Sequence, residues 1–414
     1  MSDCYFALLI ARTCLLKRST KEYIIPKLTR YTCFENSVMN HNSISIEPVT
    51  NRSQEKAFIR FPWKLYKGDP NWIPPLIDNT RQLLNYKPHA FYDNAEIQTF
   101  LAKKDGEIVG RIAAIIDRAH NEYHKEQRGM FGFFESIDDQ AVANSLFDAA
   151  KAWFAEREIF LMRGPANPSQ NYEWGMLVEG FHTPPTFMMT YNKPYYGGLV
   201  EGYGFVKSQD LFAFLGHVDM LSELDPKLMF IAEEARKRFN VDVRPIDKKR
   251  FREDVDNFLD IYNAALPGQW GFTPMSAGEL KATAGGLKQL IVSEMTTIAE
   301  VEGRPVGVVF GLLDYNPIIK KIDGRLFPFG FLRIIFGRKK IKKIRLISTN
   351  VIPEYQRWGL GLVLMNRLVP DVLKWGIQEA EFSWVLESNK LSRGTLERGG
   401  VKRDKTYRIY DFEP

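Results

Sequence analysis

At 414 residues the chain has material for two or three domains and a sizeable core. Its 45% hydrophobic and 26% charged residues describe an ordinary globular sequence and exclude a disordered or fibrous one. The net charge of +6 reads as spread along the chain, which argues against nucleic-acid binding, where Lys and Arg would cluster on one face.

The first 38 residues stand apart, because Cys4, Cys14 and Cys33 all fall there and no cysteine follows. The apolar run Cys4 to Ala11 is broken by Arg12 and is too short to span a bilayer. A basic n-region and a small-residue cleavage site are missing, so it does not read as a signal peptide. Residues 1–40 are expected to be a poorly ordered extension or to lie upstream of a true start at Met39, the second being favoured. A cysteine-free body without a targeting segment predicts a cytoplasmic protein.

The first ordered signal is a hairpin over Phe100 to Asp117, with a polar-Gly turn at Asp105-Gly106 and Gly110 where a bulge would sit. A strand (Met130 to Glu135), a helix (Gln140 to Arg157) and another strand (Ile159 to Arg163) follow. The loop Gly164 to Gly175 is rich in amides, hydroxyls and aromatics. It reads either as a solvated turn cluster stiffened by two prolines or as a polar pocket lined by Asn167, Asn171, Glu173 and Trp174. Met188-Met189 and Tyr195-Tyr196 read as core or inter-domain packing.

The hairpin recurs. Laid over Thr297 to Asp314 without a gap, Gly106 meets Gly303, Val109 meets Val306, Gly110 meets Gly307 and Asp117 meets Asp314. Each copy is followed in the same order by strand, helix and strand, which predicts tandem domains of one fold over residues 41–215 and 216–414. In the first copy Glu135, Asp138 and Asp139 stand before the helix with no glycine pair and no cation, an arrangement that repels anions. The second copy carries an insert over residues 315–343. There an apolar run (Phe329 to Phe336) abuts a cationic one (Arg338 to Lys343). This predicts a buried helix with a solvated basic loop, or else a contact with a membrane surface or acidic partner.

The strand from Ile344 to Pro353 then leads into Gln356-Arg357-Trp358-Gly359-Leu360-Gly361 and a helix. Glycines admit a ligand close to the backbone, and amides opening a helix lack intrahelical acceptors and favour phosphate. No Lys or hydroxyl follows Gly361 as a Walker loop requires, and no third glycine completes a dinucleotide fingerprint. A strand (Ala380 to Glu387), Ser388-Asn389, a short helix (Leu391 to Arg398), Gly399-Gly400 and a last strand (Lys405 to Asp411) close the chain.

The loop has the form Gln/Arg-x-x-Gly-x-Gly/Ala, and with the elements that follow it this region resembles the acyl-CoA-binding half of the GNAT acetyltransferase superfamily. The resemblance spans about Val255 to Pro414. It implies an α/β fold with two tandem GNAT-like domains, each a mostly antiparallel sheet flanked by helices. It also implies acetyl-CoA or another acyl-CoA on Gln356, Arg357, Trp358, Gly359, Leu360 and Gly361, with no metal. Backbone donors at Val351 or Ile352 would align the thioester, and Glu354 or Glu387 would take the amine proton. Asn389 matches a family Asn near the pantetheine arm. Leu396 stands where many members have the Tyr that protonates the thiolate, and Tyr407 or Tyr410 are the alternatives.

The expected activity is transfer of an acetyl or other acyl group to an amine of a small molecule or peptide. The competing expectation is an acyl-CoA-binding protein without turnover. A longer acyl group is a third, with the Phe329–Phe336 segment forming an acyl channel.

Overall fold

The computed structural model describes residues 44–223 and 226–414. The N-terminal extension and its cysteines lie outside the described residues. The first half runs β1 (Ile44–Pro48), α1 (Arg52–Leu65), α2 (Ile77–Leu83), β2 (Ala95–Lys104), β3 (Glu107–Asp117), α3 (Arg118–His124), β4 (Arg128–Ser136), α4 (Gln140–Ala155) and β5 (Leu161–Gly164). Short strands β6 (Ala166–Asn167), β7 (Glu173–Trp174) and β8 (Met176–Glu179) follow, then α5 (Tyr196–Tyr203) and β9 (Val206–His217). The second half opens with α6 (Pro226–Phe239), β10 (Asp242–Pro245), α7 (Phe251–Ala265), α8 (Ala277–Leu287), β11 (Thr296–Val301) and β12 (Arg304–Leu313). It closes with α9 (Asn316–Lys321), α10 (Gly330–Gly337), β13 (Lys343–Val351), α11 (Leu360–Lys374), β14 (Glu379–Leu386), α12 (Lys390–Arg398) and β15 (Lys402–Phe412).

One mixed sheet carries the fold, in the order β1-β2-β3-β4-β5-β15-β9-β14-β13-β12-β11-β10, with β8 also on β15. Its pairs are antiparallel except β4–β5 and β13–β14. The halves exchange their last strands. β9 lies against β14 of the second half, and β15 lies between β5 of the first half and β9. Removing either strand would therefore open both halves of the sheet.

The repeat seen in the sequence recurs in backbone detail. Asp105 and Gly106 have φ of 53° and 81°, and Glu302 and Gly303 have 52° and 77°. Two successive positive φ values make the tight turn whose twist suits a hairpin. The register slips at Ala102/Lys103 in one hairpin and at Ala299/Glu300 in the other, again 197 residues apart. Gly110 and Gly307 lie under helices: a Cβ there would meet Leu146 of α4 at 2.8 Å and Leu364 of α11 at 3.2 Å. The buried stripes of α4 (Val142, Leu146, Phe147, Ala150, Phe154) and α11 (Leu360, Val363, Leu364, Leu368) cover the two hairpins at helical spacing. Met189 and Tyr196 are buried as the sequence suggests.

Candidate functional site: the cleft where β13 and β14 part

β13 and β14 pair in parallel only over Lys343–Leu346 and Glu379–Phe382, then diverge. The edge of β13 beyond Leu346 is thereby freed. Ile352 donates its amide to the Val306 carbonyl at 2.9 Å. Successive strand residues direct their N–H groups to opposite edges, so the Val351 amide faces the gap. Of the two backbone donors expected from sequence, Ile352 is committed to β12 and Val351 is available.

Past β13, Gln356 bridges the Val351 and Ala265 carbonyls through its Nε2, at 2.9 and 3.1 Å, and so holds the turn rather than reaching outward. Arg357 (φ 66°) and Gly359 (φ 86°) bend the backbone sharply into α11. The Gly359 Cα lies against α6, where a Cβ would meet Ile231 Cγ2 at 2.6 Å. Among the described residues no side chain caps α11, and the amides of Leu362 and Val363 both turn back to the Gly359 carbonyl. The amides of Arg357 through Gly361 make no main-chain hydrogen bond in the turn. These donors open a helix beside two cations. Arg357 is exposed, and the Arg238 guanidinium lies 3.9 Å over the Trp358 ring. Free amides, helix dipole and cations together suit a phosphate.

The equivalent place in the first half is closed. Asp139 caps α4 by accepting the Ala141 amide, so a carboxylate occupies the helix start. β4 and β5 also part after three residue pairs, but the chain itself fills that gap. Asn167 Oδ1 accepts the Phe133 amide at 2.6 Å, and a Cβ on Gly132 would lie 1.7 Å from the Ala166 carbonyl oxygen. Asn167, expected to line a substrate pocket, is instead the plug of the first half. Glu135 is buried under Tyr66, Tyr196 and Arg111 and faces no solvent anion.

The rest of the Gly164–Gly175 loop reaches across to the second half. Asn171 donates to the Thr273 carbonyl and accepts from the Tyr262 hydroxyl, so it ties the loop down. A cavity of about 250 Å³ opens beside it, lined in part by Asp117, Thr273, Ser276 and Glu279. Glu173 is different, because its carboxylate makes no hydrogen bond or ion pair among the described residues. Burial pushes its pKa up, with the Arg345 guanidinium pulling the other way. Arg345 sits on β13 one residue before the pairing with β14 ends, and is 1% exposed. It donates to Ser383 Oγ and to the carbonyls of Phe187 and Met188. Glu381, fully buried, shares Ser383 and pairs with Lys343 at 3.6 Å.

Around this charge cluster lie buried polar atoms without partners among the described residues: Trp174 Nε1, Trp384 Nε1 and the Tyr407 hydroxyl. All three residues belong to one apolar cluster with Met189 and Leu211. Buried donors left unmade cost about 1–3 kcal/mol each, so three of them gathered in one apolar cluster are a costly arrangement. The Tyr407 pKa is held well above its ordinary value by burial and by Glu381, so the hydroxyl keeps its proton. Tyr410 points into the first half's core and bonds Glu201. Leu396 packs with Phe212 and Phe214.

The carboxylates singled out by position lie elsewhere. Glu354 is exposed and pairs with Arg304 at 3.4 Å, and Glu387 pairs with Lys207 at 2.8 Å. Asn389 caps α12 by accepting the Ser392 amide. The rings of Phe329 and Phe336 are on the outer surface, so α10 does not wall an acyl channel. Among the described residues, no helix is long and apolar enough to cross a membrane.

This strand order, with a free helix start beside a parting strand pair, is that of the GNAT fold. A tandem GNAT protein from the clavulanic acid biosynthesis pathway is similar to 90% of the chain and is covered over 98% of its own length, at TM-score 0.53 and 10% identity. A GCN5-related glucosamine N-acetyltransferase region of a fungal multi-domain GH3 β-N-acetylglucosaminidase gives TM-score 0.52 at 12% identity, over 90% of this chain and 38% of that one. No protein-family model matches the chain. By sequence it is 36% identical over 368 residues to protein YghO of Escherichia coli (strain K12), covering 87% of this chain and 93% of that protein. It is also 36% identical over 378 residues to bacterial ceramide synthase of Caulobacter vibrioides (strain NA1000 / CB15N), covering 89% and 97%. The chain belongs to the family of these two proteins, and its fold is the GNAT fold.

Proposed function

We propose that the protein is an N-acyltransferase that moves a long acyl group from acyl-CoA to the amine of a long-chain amino alcohol. Two observations support the acyl-transfer part: the free amide run at the start of α11, and a half-buried carboxylate, Glu173, that has no hydrogen bond or ion pair among the described residues and feels the Arg345 guanidinium of β13. The lipid part rests on the relative named ceramide synthase, since a ceramide is the amide of a fatty acid with such an amino alcohol.

Acyl-CoA brings the acyl group as an activated thioester. The residues present fit it: the amides of Arg357 through Gly361, with Arg357 and Arg238 beside them, would hold its pyrophosphate. The free edge of β13 would lie along the pantetheine arm. The Val351 amide would donate to the thioester carbonyl oxygen, where negative charge develops. Glu173, ionised, would take the proton that the amine must lose as it attacks, and its raised pKa makes it a better base. The Arg345 guanidinium favours the charged form of Glu173 against the effect of burial. The Tyr407 hydroxyl would supply a proton to the departing sulfur.

The test is to incubate the protein with palmitoyl-CoA and sphinganine and to follow free thiol and N-acyl product together. The reading requires equal amounts of both, lost in Glu173→Gln. Thiol release without amide, or an unaffected Glu173→Gln enzyme, would overturn it.

A further inference from the structure

The net charge is not spread evenly. Residues 315–343 hold nine Lys and Arg against one acid, Asp323, a balance of +8, so the rest of the chain balances to 6 − 8 = −2. Asp323 is itself engaged by Trp63, Arg60 and Arg325. Arg338, Lys339, Lys340 and Lys342 have no carboxylate partner among the described residues.

The same segment exposes its aromatics. Phe327, Phe329 and Phe336 are 70%, 71% and 76% accessible, and Phe331 and Leu332 stand partly out beside them. α10 is nonetheless firmly seated: Ile334 and Ile341 are buried under it, and a Cβ on Gly337 would meet Ile318 of α9 at 2.8 Å. The phenylalanines therefore project from a fixed platform, with the cations beside them.

We propose that this platform docks the protein on the surface of a bilayer containing anionic lipid. Phe327, Phe329 and Phe336 enter the boundary between headgroups and acyl chains, and Lys339, Lys340 and Lys342 lie at the level of the lipid phosphates. An apolar patch of this kind needs a cover. A second copy of the chain is disfavoured because two such surfaces bring like charges together. The inference is independent of the acyl transfer proposed above.

Vesicle flotation tests it, using the full chain with phosphatidylcholine vesicles that contain or lack phosphatidylglycerol. The wild type is expected to float with the anionic vesicles only. Phe327→Ser/Phe329→Ser/Phe336→Ser and Lys339→Glu/Lys340→Glu should each lower binding at least about tenfold, a neutralised cation alone being worth roughly fivefold. Both variants alter exposed side chains, so their thermal midpoints should match the wild type and confirm folding. The proposal falls if the wild type ignores anionic vesicles or if neither variant reduces binding. It falls equally if the phenylalanine variant dissolves a dimer of the free protein, which would identify the patch as a contact between copies.

Discussion

Asn167 and Phe133 meet at 2.6 Å, carboxamide oxygen to backbone amide, in the gap between β4 and β5. Among the described residues no side chain accepts a backbone amide of β13 beyond Leu346, so this pair marks a difference between the two copies of the repeat. Asn167→Leu should leave the Phe133 N–H unpaired and destabilise the protein by about 1–3 kcal/mol. Affinity for CoA should stay unchanged. Denaturant unfolding and a CoA titration check the two halves of this expectation.

Gly359 and Gly361 should separate folding from binding. Gly359 has φ 86° and no room toward Ile231, so Gly359→Ala should lower stability by roughly 1–3 kcal/mol. A Cβ on Gly361 would find only Thr349 Cγ2 at 3.7 Å, so Gly361→Glu should fold normally. Thermal unfolding of the two variants without ligand should show a drop for the first alone.

Tyr407 offers a test of the proton donor. Its hydroxyl is buried without a partner, so Tyr407→Phe should hold or slightly raise stability. If the hydroxyl protonates the leaving sulfur, kcat should fall about tenfold or more with little change in KM. An unchanged kcat would assign the proton to water.

Asp314 gives a pH signature. Burial raises its pKa to about 6 from 3.8, so the folded state binds the proton more tightly than the unfolded chain. Its contribution is full below about pH 4 and is lost as pH rises through about 6. Asp314→Asn keeps an oxygen for the Phe187 and Asn316 amides and removes the buried charge. Wild type should therefore lose roughly 2 kcal/mol between pH 4 and 7 relative to the variant. Urea unfolding at several pH values measures this.

The hairpins, the repeat offset and the glycine turn were legible because each is a local pattern: Asp105-Gly106 and Glu302-Gly303 specify their turns unaided. The exchange of β9 and β15 was not, since strand pairing across some two hundred residues leaves no local mark. Arg345 was hidden within an apolar strand run, and nothing in sequence brings Glu173 to it. Glu354, Glu387 and Asn389 stood out by position, yet surface ion pairs and a helix cap account for them. The charge block at residues 315–343 was visible but averaged away in the whole-chain total.

The most direct measurement is a calorimetric titration of CoA into the wild type and into Gly361→Glu, at matched salt. The account requires saturable binding to the wild type that the glutamate at the helix start weakens by about tenfold or more. Equal affinity for both proteins, or no binding to either at millimolar CoA, would contradict the assignment of the phosphate site to α11.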